Sequence, residues 1–190
     1  MREMKAKLLV ILCVMIFVGA IMVGPVAAAT DTGQTIITGN PEADIQVTAN
    51  ITATEIALVQ GSENYNATLI VNVKANPFSW TLAVEDDMTG PKDVAAAGYM
   101  TNWTGIAWAV PTTKLLNPMK IQGSAETGAT QESEKTVTNA PLTLETGYQA
   151  TLTGGTNFVM TTHQKVEYGD QNLNTPNVYR LVFLFTGTTL

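Results

Sequence analysis

The chain has 190 residues, a formal net charge of −6, 14% charged residues and one cysteine. An acidic chain with few basic residues offers no extended positive surface for a phosphate backbone. We therefore expect no nucleic-acid partner. A single cysteine allows no internal disulfide. The chain is long enough for one domain with its own core.

The N-terminus has the three parts of a secretory signal peptide. Basic residues Arg2, Lys5 and Lys7 precede the uncharged apolar run Leu8–Val23, and small alanines end the segment at Ala29. We predict a signal helix over 1–29 that is cleaved, placing the protein outside the cell, at its surface. The alternative is an uncleaved anchor, but the run is shorter than the roughly 20 residues that span a bilayer.

Cleavage after Ala29 changes what remains. It removes Cys13, so the mature chain has no thiol, and it removes a net charge of +2, which leaves −8. Residues 30–42 are polar apart from Ile36 and Ile37, which predicts a flexible arm or a strand donated to a partner. We assign residues 43–190 to a single domain, and the membrane is contacted only before cleavage.

Alternating apolar and polar residues predict strands along this domain. In the first half, strands are predicted at 45–53, 56–59, 67–73 and 78–84, with a turn at 61–64 and a hairpin joining the last two strands. Trp80 is a core candidate because a large aromatic side chain on an apolar face buries much area.

The second half mixes loops with further strands. We predict a short helical turn at 94–97, strands near 119–121, 142–144, 149–153 and 158–166, and a surface loop at 123–134. Gly154-Gly155 predicts a tight hairpin, and a last strand at 178–186 is apolar on both faces. About eight to ten strands spaced by turns predict an all-β fold, an antiparallel β-sandwich.

No catalytic group stands out, so we predict that the protein is not an enzyme and has no cofactor. His163 has no Gly-x-Ser-x-Gly partner motif, and we interpret it as a surface strand residue. The carboxylates of Glu85, Asp86 and Asp87 are adjacent in a Gly-Pro loop. A hydrolase that uses them needs two of them facing one cleft.

Two kinds of polar site are compatible with the sequence. Asp170, Asn172 and Asn174 alternate like the start of a calcium loop, although no glycine stands at position six and no glutamate at position twelve. The alternative is an Asn- and Asp-rich turn. Three Asn-x-Thr sequons are possible glycan acceptors in a secreted chain, and they begin at Asn50, Asn66 and Asn102.

The C-terminal strand is the main candidate for self-association. It is β-prone and lacks proline, features of segments that pair with other chains when exposed. The predicted contact residues are Ile36, Ile37, Tyr179, Leu181, Phe183 and Phe185. The alternative is a plain core strand.

Trp103 and Trp108 support a second hypothesis, a module that binds carbohydrate or another wall component. Their rings would stack on sugars if they were exposed and coplanar. A cell-wall glycan is therefore an expected partner under this hypothesis.

The layout resembles archaeal cell-surface structural proteins, above all methanogen sheath proteins. The resemblance lies in the leader ending Ala27-Ala28-Ala29, the Thr-laced strands at 45–53 and 67–84, and the terminal strand at 179–186. The chain is also similar to TasA-like fibre subunits and archaeal bundling pilins, in which an N-terminal segment donates a strand to the next subunit. The resemblance implies a homopolymer, with Thr30–Glu42 as the donated segment.

Overall fold

The computed structural model describes residues 43–50, 55–76, 79–90, 92–151 and 153–190. The predicted signal peptide 1–29 and the arm 30–42, with Ile36 and Ile37, lie outside the described residues. The described part belongs to one compact unit, Glu42–Leu190. None of its helices is long and apolar enough to cross a membrane.

The described residues form eleven strands and one short 3-10 helix, so the fold is all-β. The helix, Val94–Ala96, begins after Asp93, whose carboxylate accepts the N–H of Ala95. In chain order the strands are β1 (Ile45–Ala49), β2 (Ser62–Ala75), β3 (Trp80–Asp86), β4 (Thr101–Trp103), β5 (Lys120–Gln122), β6 (Ala129–Gln131), β7 (Lys135–Thr136), β8 (Leu142–Gly147), β9 (Thr156–Val166), β10 (Val178–Arg180) and β11 (Phe183–Thr189).

The largest sheet has five antiparallel strands in the order β1-β2-β9-β5-β7. Its longest pairing joins β2 to β9, with Val71 opposite Phe158. A bulge on β2 between Asn66 and Leu69 shifts the register there. Because of this bulge Ala67 is exposed, although simple alternation predicts it on the buried face with Leu69.

The predicted turn at 61–64 is displaced toward the N-terminus, because the turn lies at Gln60 and Gly61 and β2 already begins at Ser62. Asn64 is tolerated in the strand because its buried side chain is satisfied locally. Its Oδ1 accepts the N–H of Val59 at 2.9 Å, and its Nδ2 donates to the carbonyl of Gln164 at 3.2 Å. The strand predicted at 56–59 does not form.

The second sheet has four antiparallel strands in the order β11-β3-β8-β6. The predicted hairpin between β2 and β3 is wrong, because these consecutive strands lie in different sheets. Alternation predicts which side of a strand is apolar, and it does not predict which sheet the strand joins. The predicted loop 123–134 contains β6, a polar edge strand with exposed Thr130.

Two other predicted strands differ from the structure. Of the strand predicted at 149–153, the described residues 149–151 and 153 form no strand, and the hairpin at Gly154-Gly155 is absent because β8 and β9 belong to different sheets. The carbonyl of Gln149 instead accepts the indole N–H of Trp80. The predicted strand 178–186 is divided into β10, which pairs with β4, and β11, which pairs with β3.

Both larger sheets contribute to one hydrophobic cluster. Trp80 is buried, as predicted, and its ring meets Phe158 of β9 edge to face at 6.0 Å. The fully buried members include Val71, Val73, Leu82, Ile121, Phe158 and Met160. Side chains from the two sheets therefore share a single core.

Candidate functional site

A groove of about 820 Å³ lies beside the C-terminal strands. Its lining is largely apolar and includes Ile56, which precedes β2, and Leu69, which lies within β2. Asp170 and Arg180 add charge to the lining. All four predicted contact residues of the C-terminal strand line it as well: Tyr179, Leu181, Phe183 and Phe185. The structure thus brings these four together on one concave surface.

Strand β11 lies at the edge of its sheet beside this groove. Among the described residues it pairs only with β3, and its seven residues contain no charged side chain and no proline. Leu184 has 46% of its surface exposed, whereas Phe183 and Phe185 pack against the core. A long uncharged edge of this kind is a template for pairing with another chain.

The predicted calcium residues do not converge. Asp170 is buried, and its two carboxylate oxygens accept the backbone N–H groups of Leu116 and Glu167, each at 2.7 Å. Asn172 and Asn174 are exposed. In the part of the chain that the structure describes, no three His, Cys, Asp or Glu side chains could hold a metal ion together.

The three sequon asparagines occupy different environments. Asn50 is exposed at the end of β1, where its Oδ1 accepts the N–H of Ile70. Asn66 is half-buried and donates its amide to the carbonyl of Glu55. Asn102 lies on β4 with 8% exposure, and its Oδ1 accepts the N–H of Thr113. Asn50 is therefore the most accessible of the three.

His163 is more enclosed than a surface strand residue. It stacks on Tyr65 at 4.3 Å, its Nε2 contacts Glu63, and its Nδ1 lies 3.0 Å from Glu134. Although burial acts in the opposite direction, hydrogen bonds from His163 and Lys120 hold the pKa of Glu134 below its usual value. The cluster links neighbouring strands through side-chain hydrogen bonds.

The two tryptophans do not form a flat platform for sugars. Trp103 and Trp108 meet edge to face, with an angle of 75° between their rings. Trp108 is only 9% exposed, and the guanidinium of Arg180 covers the Trp103 ring at 4.3 Å. This geometry lacks the exposed coplanar rings that a stacking site for sugars needs.

The adjacent carboxylates at 85–87 do not face one cleft. Alternation along β3 places Glu85 and Asp86 on opposite sides of the sheet. Asp86 points inward and forms an ion pair with Lys92, with both side chains fully buried. Asp87 accepts hydrogen bonds from Thr89, which lower its pKa. The pairing of Lys92 has no signal in the sequence, because a lysine after Gly-Pro normally indicates a solvated loop.

Sequence patterns also missed the buried carboxyl group of Glu145. Leu142 and Leu144 predict, by alternation, that the next residue points to solvent. A bulge at Leu144 on β8 reverses the alternation, so that Glu145 lies opposite buried Leu82. Both carboxyl oxygens are buried without a hydrogen-bond partner, and burial together with Glu126 and Glu132 raises its pKa to about 8.

Comparison of this chain with protein-family models, curated proteins and solved structures finds no match. Functional interpretation therefore depends on the geometry described above.

Proposed function

We propose that this is a secreted structural protein of the cell surface that polymerises through β-sheet contacts between copies of itself. The observation that carries the proposal is that β11, an edge strand without charged residues, lies directly beside an apolar groove. Edge strands in proteins that stay monomeric are commonly short, bulged or charged. Strand β11 has none of these protections, which supports a role in which another chain covers it.

The groove suits an extended segment as its occupant. Backbone hydrogen bonds along an edge strand supply affinity, while alternate side chains of the added strand enter apolar pockets. We propose that a second copy supplies this strand, and that the donor is Thr30–Glu42 with Ile36 and Ile37 as its apolar anchors. Cleavage after Ala29 would release this segment in the exported protein.

The proposed architecture fits such a subunit. The five-stranded and four-stranded sheets share one core, which supports a β-sandwich made of residues 43–190. Among the described strands, the outermost are β1 and β7 in one sheet and β11 and β6 in the other, and Ile45 and Val47 of β1 lie beside Gly187 of β11. A subunit with edges on both sheets can extend in more than one direction.

The test is the assembly state of a chain that begins at Thr30, measured by size-exclusion chromatography with light scattering and by electron microscopy. We expect concentration-dependent polymers. The substitution Leu184→Lys places a charge on β11 and is expected to shift the protein strongly toward monomer. Ile36→Lys is expected to do the same if the arm is the donor.

Matched variants separate edge pairing from general loss of apolar surface. Ile106→Lys charges an apolar loop residue that is itself 89% exposed, and Thr32→Lys charges the arm outside its apolar pair. Both are expected to polymerise like the parent. A stable monomer at high concentration, with and without calcium, would overturn the proposal.

A further inference from the structure

Lys92 and Asp86 form an unusually dry pair of reactive groups. Their side chains have no solvent exposure, and the Lys92 ammonium contacts Asp86 Oδ2 directly. The Trp108 ring lies 5.3 Å from the Lys92 nitrogen and helps to close the site. The pair joins the end of β3 to the loop before the 3-10 helix.

One carboxylate oxygen of this pair has no hydrogen-bond partner. Asp86 Oδ2 also accepts the N–H of Gly98 at 2.7 Å, and Lys92 Nζ donates to the carbonyl of Tyr99 at 3.2 Å. Asp86 Oδ1 is buried without a partner. An unsatisfied buried carboxylate oxygen is costly, so this atom calls for an explanation.

We propose that Lys92 and Asp86 form a spontaneous intramolecular isopeptide bond. The lysine nitrogen bonds to Asp86 Cγ, the bond from Cγ to Oδ1 breaks, and Oδ1 leaves as water with two protons that the Lys92 ammonium gives up. No oxidant, reductant or cofactor is required. The product is a neutral amide between two buried side chains.

The dry surroundings favour the reactive protonation states. Two charges buried together carry a desolvation penalty that a neutral amine beside a neutral carboxyl group does not carry. Burial lowers the pKa of Lys92 against the opposing effect of Asp86, which favours the neutral amine that can attack. Holding the two groups in contact supplies the proximity that such a condensation needs.

The same neighbours fit the transition state and the product. The N–H of Gly98 is placed to stabilise negative charge that develops on Oδ2 during attack. In the product, Oδ2 becomes the amide oxygen and keeps that bond, while the amide N–H can donate to the carbonyl of Tyr99. The unsatisfied atom Oδ1 is the atom that departs, so every polar atom that remains has a partner.

The test is mass spectrometry of the folded, purified protein. We expect the intact mass to fall below the sequence mass by one water molecule. Trypsin should fail to cut after Lys92, because an acylated lysine is not cleaved. The resulting peptide 75–114 should give no fragment ions from breaks between residues 86 and 92.

Variants locate the bond. Lys92→Arg and Asp86→Ala are expected to restore the full sequence mass. Lys165→Arg, in an exposed ion pair with Glu167, is expected to keep the loss. The proposal does not depend on these variants folding, because the intact mass, the peptide map and the stability to alkali of the wild-type protein decide it together.

Two results would overturn the proposal. One is a folded wild-type protein that has the full sequence mass after prolonged incubation. The other is a water loss that mild alkali reverses, since this identifies a succinimide at an aspartate and not an isopeptide bond.

Discussion

Glu145 shows how one residue can set the pH response of this fold. Its carboxyl group is buried without a partner against Gly123, where even a Cβ atom would collide with it. An ionised carboxylate is costly in such a place, and Glu126 and Glu132 add like charge. The protonated form is therefore the one that the folded protein accommodates at neutral pH.

We expect the free energy of unfolding to fall as pH rises from about 4.5 to about 8. The folded pKa of Glu145 is raised from 4.5 to about 8, so within this window the folded state holds a proton that the unfolded state has lost. The loss is at most about 1.4 kcal/mol per pH unit. Urea unfolding at a series of pH values measures it, and Glu145→Gln should flatten the profile.

Glu126→Gln is the matched control for this prediction. It removes a neighbouring like charge and leaves the buried carboxyl group in place, so the profile should keep most of its slope. An unchanged slope in Glu145→Gln would show that Glu145 does not control the response.

At the scale of elements, bulges decide which side chains the strands bury. The bulge on β8 turns Glu145 inward, and the bulge on β2 turns Ala67 outward. Strand β9 contains no such break in its alternation between Phe158 and Thr162, and it pairs with strands on both sides. It is therefore the central strand of the five-stranded sheet.

Phe158→Ala is expected to lower the free energy of unfolding by about 3–5 kcal/mol. Phe158 is fully buried and meets Trp80 across the core, so truncation removes this aromatic contact and leaves a cavity. Chemical denaturation monitored by tryptophan fluorescence measures the change. Tyr148→Ala removes a 55% exposed aromatic outside the strands and should cost much less. Equal losses would argue against a core that depends on β9.

At the scale of the whole molecule, the fold alternates between sheets along the chain. Strand β2 belongs to one sheet and β3 to the other, and the same is true of β8 and β9. Each crossing forces the two sheets to share a core. The C-terminal strand then ends at an edge, beside the groove where we place the subunit contact.

Net charge gives a prediction at this scale. Copies that begin at Thr30 each carry −8, so they repel one another, and salt screens this repulsion. We expect assembly to increase when ionic strength rises from about 0.01 M to about 0.15 M, as the Debye length falls from about 30 Å to about 8 Å. Light scattering at fixed protein concentration measures it. Assembly that weakens with salt would indicate contacts dominated by ion pairs, not by edge pairing.

The sequence alone determined the all-β class, the burial of Trp80 and strand β9. These follow from local alternation, which depends only on the geometry of a strand. Strand pairing, the bulges, the buried Glu145 and the contact between Lys92 and Asp86 were decided only by the tertiary structure. Each depends on which distant segment lies opposite, because register and sheet membership are set by packing across the core and not by neighbours in the chain.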